Sequence, residues 1–222
     1  MAGGYGIAAG HRLTAEAGAA ALAEGGTAMD AAVAGALMAM VAEPVLAGLM
    51  GGGFAMVRPP AGAPRLLDMF VQTPARKRPA GEIDFRAVHA DFGTATQEFH
   101  IGAGAIAAPC LAAGLWEAHA RLGRIPFREL ARPAAEAARA GVAVTPFQAR
   151  LGRIIAPILT ASAEARALFC GGGEAPLAEG APFRNAAFAE VLEEYAAAGP
   201  RFVREGEVAA AVAALAEAGG HL

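Results

Sequence analysis
Serine is nearly missing from this sequence of 222 residues: Ser162 is the single instance, and no Gly-x-Ser-x-Gly surrounds it. A Ser-His-Asp triad is therefore hard to build. Cysteine occurs only as Cys110 and Cys170, too few for a disulfide framework in a chain this long, so two buried free thiols are expected. Charge is sparse as well, at 18% of residues with a net charge of −3 and a pI near 6.0. That removes any electrostatic case for a nucleic-acid partner or an anionic membrane surface. A long apolar run is also missing. The most apolar stretch, Ala28 to Val45, is interrupted by Asp30, Glu43 and Pro44 and falls short of the ~20 residues a bilayer span needs. Met1 is not followed by a basic n-region and an apolar h-region, so a cytoplasmic location is expected, or a periplasmic one if a signal has been removed.

What the sequence does have is small apolar residues. The hydrophobic fraction is 55% with 29 glycines besides, which favours dense packing over disorder. The spacing predicts a strand over Gly6 to Gly10 and a helix over Thr14 to Glu24, stopped by Gly25 and Gly26. Thr27 stands three residues before Asp30, the spacing of a capping box. The helix it opens is apolar on nearly every face and ends at Glu43 before Pro44, as a helix buried between layers does. Phe54 to Arg58 and Leu66 to Val71 read as strands of a hairpin with a Pro/Gly-rich loop. Pro74 to Phe92 reads as irregular and Gly104 to Ala107 as a short strand. Helices are expected over Leu111–Leu122, Phe127–Ala140, Pro146–Thr160, Asn185–Ala198 and Glu205–Ala218, with a kink or break at Pro133. Residues 1–222 are expected to form a single domain. Four strands are too few for the sheet so apolar a helix must cover, so other strands must come from elsewhere.

Several features are weighed against plainer explanations. The glycines Gly51, Gly52 and Gly53 precede a strand-like Phe54-Ala55-Met56-Val57, whereas a phosphate cradle needs glycines that open a helix. Close backbone approach is the role left for them. His89, Asp91, Glu98 and His100 cluster without zinc or calcium spacing and read as a solvated loop; no metal and no other cofactor is expected. The threonines (Thr14, Thr27, Thr73, Thr94, Thr96, Thr145, Thr160) are all internal and lack the α-amino base that activates a chain-terminal threonine. No catalytic residue is assigned in this chain. Glu193 and Glu194 lie on a charged helix face and read as solvated.

Three stretches together resemble the γ-glutamyltranspeptidase (glutathione hydrolase) family. They are Gly10-His11-Arg12-Leu13-Thr14-Ala15-Glu16-Ala17-Gly18 with Gly25 to Val33, Glu43-Pro44 and Gly51 to Phe54; Gly123 to Ala134 with Ala138 to Gly141; and Asn185 to Gly219. The resemblance covers nearly the whole chain and implies the N-terminal part of a large subunit. The implied fold is α+β, an αββα four-layer N-terminal-nucleophile hydrolase sandwich that is incomplete and helix-rich in this chain. The implied chemistry is amide hydrolysis or acyl transfer by an N-terminal threonine outside this chain, freed by autoprocessing on a small subunit of the same precursor. That small subunit and a small-molecule amide or γ-glutamyl substrate are the partners implied.

Two departures from the family pattern stand out. Family large subunits continue well beyond the position of Leu222. In addition, the strand segment Leu67-Asp68-Met69-Phe70-Val71-Gln72 carries Phe70 where the resemblance implies an arginine that pairs with the substrate's α-carboxylate. Phe70 and Gln72 are thus the candidate substrate-binding residues. A phenyl ring cannot replace a bidentate guanidinium, and its loss costs about 2–5 kcal/mol at a desolvated carboxylate. The expectation is an amidase or acylase acting on an apolar acyl group. The alternative is a non-catalytic family remnant serving as a binding or interaction module, and a chain of this kind alone would expose apolar faces and self-associate.

Overall fold
The computed structural model describes residues 4–221. In chain order the elements are α1 (Arg12–Ala23), α2 (Ala28–Ala42), β1 (Phe54–Val57), β2 (Arg65–Asp68), β3 (Arg86–Asp91), β4 (Thr96–Ile101), α3 (Leu111–Leu122) and α4 (Phe127–Ala140). They continue with β5 (Val142–Ala143), α5 (Pro146–Ile154), α6 (Ala156–Leu159), α7 (Ala163–Phe169), β6 (Pro182–Phe183), α8 (Ala186–Ala198), α9 (Arg201–Glu205) and α10 (Glu207–Gly219). The strands form three two-stranded antiparallel sheets, β1–β2, β3–β4 and β5–β6. The described residues group into two compact units, residues 4–72, 108–139 and 186–206 in one, residues 73–107, 140–185 and 207–221 in the other.

The first unit is built around α2. Its N-cap Thr27 accepts the Asp30 N–H, and the Asp30 carboxylate accepts the Thr27 N–H, closing the capping box expected from the sequence. Val33 and Leu37 are fully buried and Met38, Met40 and Val41 nearly so, as expected of a helix that is apolar on nearly every face, while its Ala28, Ala32, Ala36 and Ala39 side stays partly open. α1 packs on it with Thr14, Gly18 and Ala21 turned inward. On α4 the buried stripe Phe127, Leu130, Ala131, Ala134, Ala135 and Ala138 follows the helical period. That stripe carries the helix through Pro133 without the break that the sequence offered as one outcome there. Its burial outweighs the lost backbone bond, a cost of about 3 kcal/mol. Fully buried Tyr195 of α8 donates its hydroxyl to the Ala112 carbonyl at 2.5 Å, and its ring meets those of Trp116 and Phe127 edge-on.

The second unit holds the β3–β4 hairpin, in register from Arg86↔Ile101 to Asp91↔Thr96. Pro74 to Phe92 is therefore not irregular throughout. Its last third is a strand, and Asp91 closes the turn by accepting the Gly93 N–H at 2.7 Å. β3 packs on α6. The Asp84 N–H donates to the Gly219 carbonyl at the end of α10, at 2.8 Å, and Arg78 donates to the Glu217 carbonyl.

Other expectations shift. Residues 6–10 are not a strand, and none of their backbone groups is hydrogen-bonded into a sheet among the described residues. Gly104 to Ala107 is not a strand either, since a 3-10 turn occupies Ala103–Ala105. Pro146–Thr160 is two helices, because Pro157 can neither donate to the turn before it nor avoid that turn's carbonyl. Glu205–Ala218 begins instead at Glu207, after the separate short helix α9. α7, capped by Ser162, was not foreseen. Cys170 is buried, Cys110 only half-buried, and both are free.

Candidate functional site
Phe70 and Gln72 both lie at the end of the β1–β2 hairpin. The register pairs Phe54 with Asp68 and Met56 with Leu66. Two further backbone bonds join Gly53 and Met69, at 3.2 and 3.0 Å. Side chains alternate across a strand, so Leu67 and Met69 face inward. Met69 is buried against Gly114 of α3, which has no room there for a side chain. Phe54, Met56, Leu66, Asp68 and Phe70 share the other face. The four apolar members of that face are 58%, 68%, 57% and 49% exposed.

The rings of Phe54 and Phe70 stack with centroids 5.3 Å apart and planes 9° from parallel. Gly52 makes this possible. A Cβ there would sit 2.5 Å from the Val71 nitrogen and 3.0 Å from the Phe70 backbone, so only glycine permits the approach. Asp68 Oδ1 accepts the Phe70 N–H at 2.9 Å. The Gln72 side-chain amide reaches the Phe70 carbonyl at 3.5 Å, and its backbone pairs with Ala108 in both directions. Gln72 is thus fixed at its backbone with its side chain beside Phe70. The sequence does not bring Phe54 beside Phe70, because the long Pro/Gly loop leaves the register open. Its diagonal position to Phe70 is legible only once Gly53 and Met69 are known to pair.

A second polar cluster supports the unit without facing solvent. The Asp30 carboxylate, fully buried, accepts N–H bonds from Thr27 at 2.6 Å, Arg124 at 3.0 Å and Ile125 at 3.3 Å, and the Thr27 hydroxyl at 3.0 Å. Burial by itself would raise this carboxyl. The bonds from Thr27, Arg124 and Ile125 outweigh it and hold Asp30 below the usual carboxylate range. His119 Nε2 stands 2.7 Å from the Ile125 carbonyl oxygen and 3.4 Å from Asp30 Oδ1. The cluster pins the loop after α3 to the start of α2, and its oxygens are already used.

The hydroxyls follow the same pattern. Thr14 donates to Glu43, Thr27 and Thr145 cap helices, Thr160 donates to the Ala156 carbonyl, and Ser162 caps α7. His89, Asp91, Glu98 and His100 are not a loop but one face of the β3–β4 hairpin, with Glu98 3.4 Å from each imidazole. Among the described residues no group of three or more His, Cys, Asp or Glu side chains is disposed to hold a metal ion. No described helix is long and apolar enough to cross a membrane. The first unit also has an apolar groove of about 480 Å³ between residues 6–9 and the Ala32, Gly35, Ala36 and Ala39 side of α2. Neither Phe70 nor Gln72 lines it.

Known proteins resolve what kind of scaffold carries this hairpin. The family model described as Gamma-glutamyltranspeptidase matches residues 14–222, and the chain belongs to that family. It is 32% identical over 216 residues to the Acylase ACY 1 proenzyme of Pseudomonas sp. (strain V22), a match covering 96% of this chain and 38% of that protein. To the Glutathione hydrolase proenzyme of Pseudomonas aeruginosa it is 35% identical over 146 residues, covering 65% of this chain and 25% of that protein. Among solved structures, the gamma-glutamyltranspeptidase from Pseudomonas nitroreducens superposes on all of this chain and 63% of its own, with a TM-score of 0.81 at 28% identity. The fold is therefore a portion of the N-terminal-nucleophile hydrolase fold of that family, mixed helix and strand, and the chain spans well under half the length of the curated relatives it matches.

Proposed function
We propose that this chain is the N-terminal part of the large subunit of an amide hydrolase or acyl transferase whose N-terminal threonine nucleophile lies outside it. The partner is the nucleophile-bearing small subunit of the same precursor. Residues 1–222 contribute one wall of the substrate site, with Phe70 and Gln72 at the substrate and no cofactor. Family membership supports the reaction class, and the word proenzyme in the names of both bacterial relatives supports a processed precursor.

The acyl group transferred is apolar and not γ-glutamyl. One observation carries this part of the reading: Phe70 presents an exposed ring, with the Asp68 carboxylate bonded to its backbone. A carboxylate-bearing acyl group brought there would meet a phenyl ring and a like charge in place of a guanidinium.

Intact-mass measurement of the natural gene product tests the two-subunit part. A second polypeptide that begins with Thr is the expected result. A lone 22.2 kDa species would overturn it and leave a binding or interaction module.

A further inference from the structure
The backbone changes its pairing partner at Phe70. Met69 exchanges two hydrogen bonds with Gly53, at 3.2 and 3.0 Å, and Gln72 exchanges two with Ala108, at 3.0 and 2.8 Å. Met69 is also anchored by its side chain, buried against Gly114. Phe70 and Val71 fall in the gap between these two fixed points. A residue outside a ladder needs another partner for its N–H, and a short polar side chain two positions earlier can supply one. Asp68 does so here, its Oδ1 accepting the Phe70 N–H at 2.9 Å. The Gln72 amide stands 3.5 Å from the Phe70 carbonyl, too far for a strong bond. The Asp68 bond is therefore the short side-chain latch on the Phe70 backbone.

Holding an N–H fixes the peptide plane that precedes its Cα. With φ restricted to a few allowed wells, the direction of the side chain is then set as well. Resting on the reading above, in which residue 70 stands at the substrate, we propose that Asp68 is a positioning residue. It holds the Phe70 backbone so that the side chain at position 70 meets the acyl group from one direction. Asp68 acts through Phe70 and needs no contact with the substrate. Its role is that of a hydrogen-bond acceptor, so for an uncharged acyl group the oxygen matters and the negative charge does not.

The test uses the complete two-subunit protein and the p-nitroanilides of hexanoate and glutarate. The hexanoyl group carries no charge, so losing the Asp68 charge by itself leaves its binding unchanged. Asp68→Ala removes the acceptor and should lower kcat/KM for hexanoyl by about tenfold, chiefly through KM. Asp68→Asn keeps an acceptor oxygen in the same place and should stay within about twofold of the wild type. Hydrogen exchange of peptides spanning Phe70, read by mass spectrometry, should quicken in Asp68→Ala and not in Asp68→Asn. The proposal is overturned if the two variants leave hexanoyl turnover unchanged, lower it alike, or leave the exchange at Phe70 unaltered. A fall in kcat with KM unchanged and a lower thermal midpoint marks a merely structural residue and also overturns it. An acyl-selectivity ratio, hexanoyl over glutaryl, near one defeats the apolar reading of the acyl group, and the comparison of Ala with Asn still decides Asp68. If the wild type turns over neither amide, the broader reading fails and the proposal fails with it.

Discussion
The Phe54 and Phe70 rings lie 5.3 Å apart and 9° from parallel, across a strand pair held together at its end by Gly53 and Met69. The arrangement is a consequence of backbone spacing. With no Cβ at Gly52, the two strands close up beyond β1, and the diagonal neighbours Phe54 and Phe70 come within stacking distance.

Gly52→Ala should therefore disturb both stability and substrate preference. The new Cβ meets backbone at 2.5 Å, which no rotamer change relieves, so a loss of about 1–3 kcal/mol is expected. Denaturant unfolding reads the stability. The acyl-selectivity ratio of the complete enzyme should fall in the same variant.

Asp30→Asn should destabilise by about 2–4 kcal/mol, since it replaces an acceptor of four hydrogen bonds by a group with only one acceptor oxygen. The pH dependence follows from the direction of the shift. The folded carboxyl is held below its unfolded value, so the stabilisation is fully present above the unfolded carboxylate range. It is lost as pH falls through the lowered folded value. The stability gap between wild type and Asp30→Asn should be constant above about pH 5 and shrink below about pH 4. Urea midpoints across that range check it.

Tyr195→Phe keeps the ring packed among Trp116 and Phe127 and removes only the hydroxyl bonded to the Ala112 carbonyl. Burial already pushes this phenol above its ordinary range, so no ionisation competes. A loss of about 1–3 kcal/mol with an unchanged denaturant slope is expected.

The 222-residue chain expressed alone should self-associate through its exposed apolar strand face. Met56→Lys with Leu66→Glu should shift it toward a monomer in light scattering. A monodisperse wild-type monomer would contradict this.

Much of the helical scaffold was legible, because α2, α3, α4 and α8 carry strong local signals: the Thr27–Asp30 box, helix-period apolar stripes and terminal glycines. The β3–β4 hairpin was not, since Arg86-Ala87-Val88-His89-Ala90-Asp91 alternates weakly and draws its strand character from pairing with Thr96–Ile101. Residues 6–10 show the converse. Their local pattern is strand-like, yet no described strand pairs with them, and a strand is defined by its neighbour. At the candidate site, Phe70 is named from the family resemblance alone, whereas its stacking against Phe54 emerges only from the register.

The most direct measurement of the central claim is kcat/KM for γ-glutamyl-p-nitroanilide, taken on the complete enzyme and on Phe70→Arg. The expected result is poor turnover by the wild type and a gain of about tenfold or more when the guanidinium is supplied. Good turnover by the wild type, with no gain from Phe70→Arg, would contradict the reading that Phe70 has turned this site away from γ-glutamyl substrates.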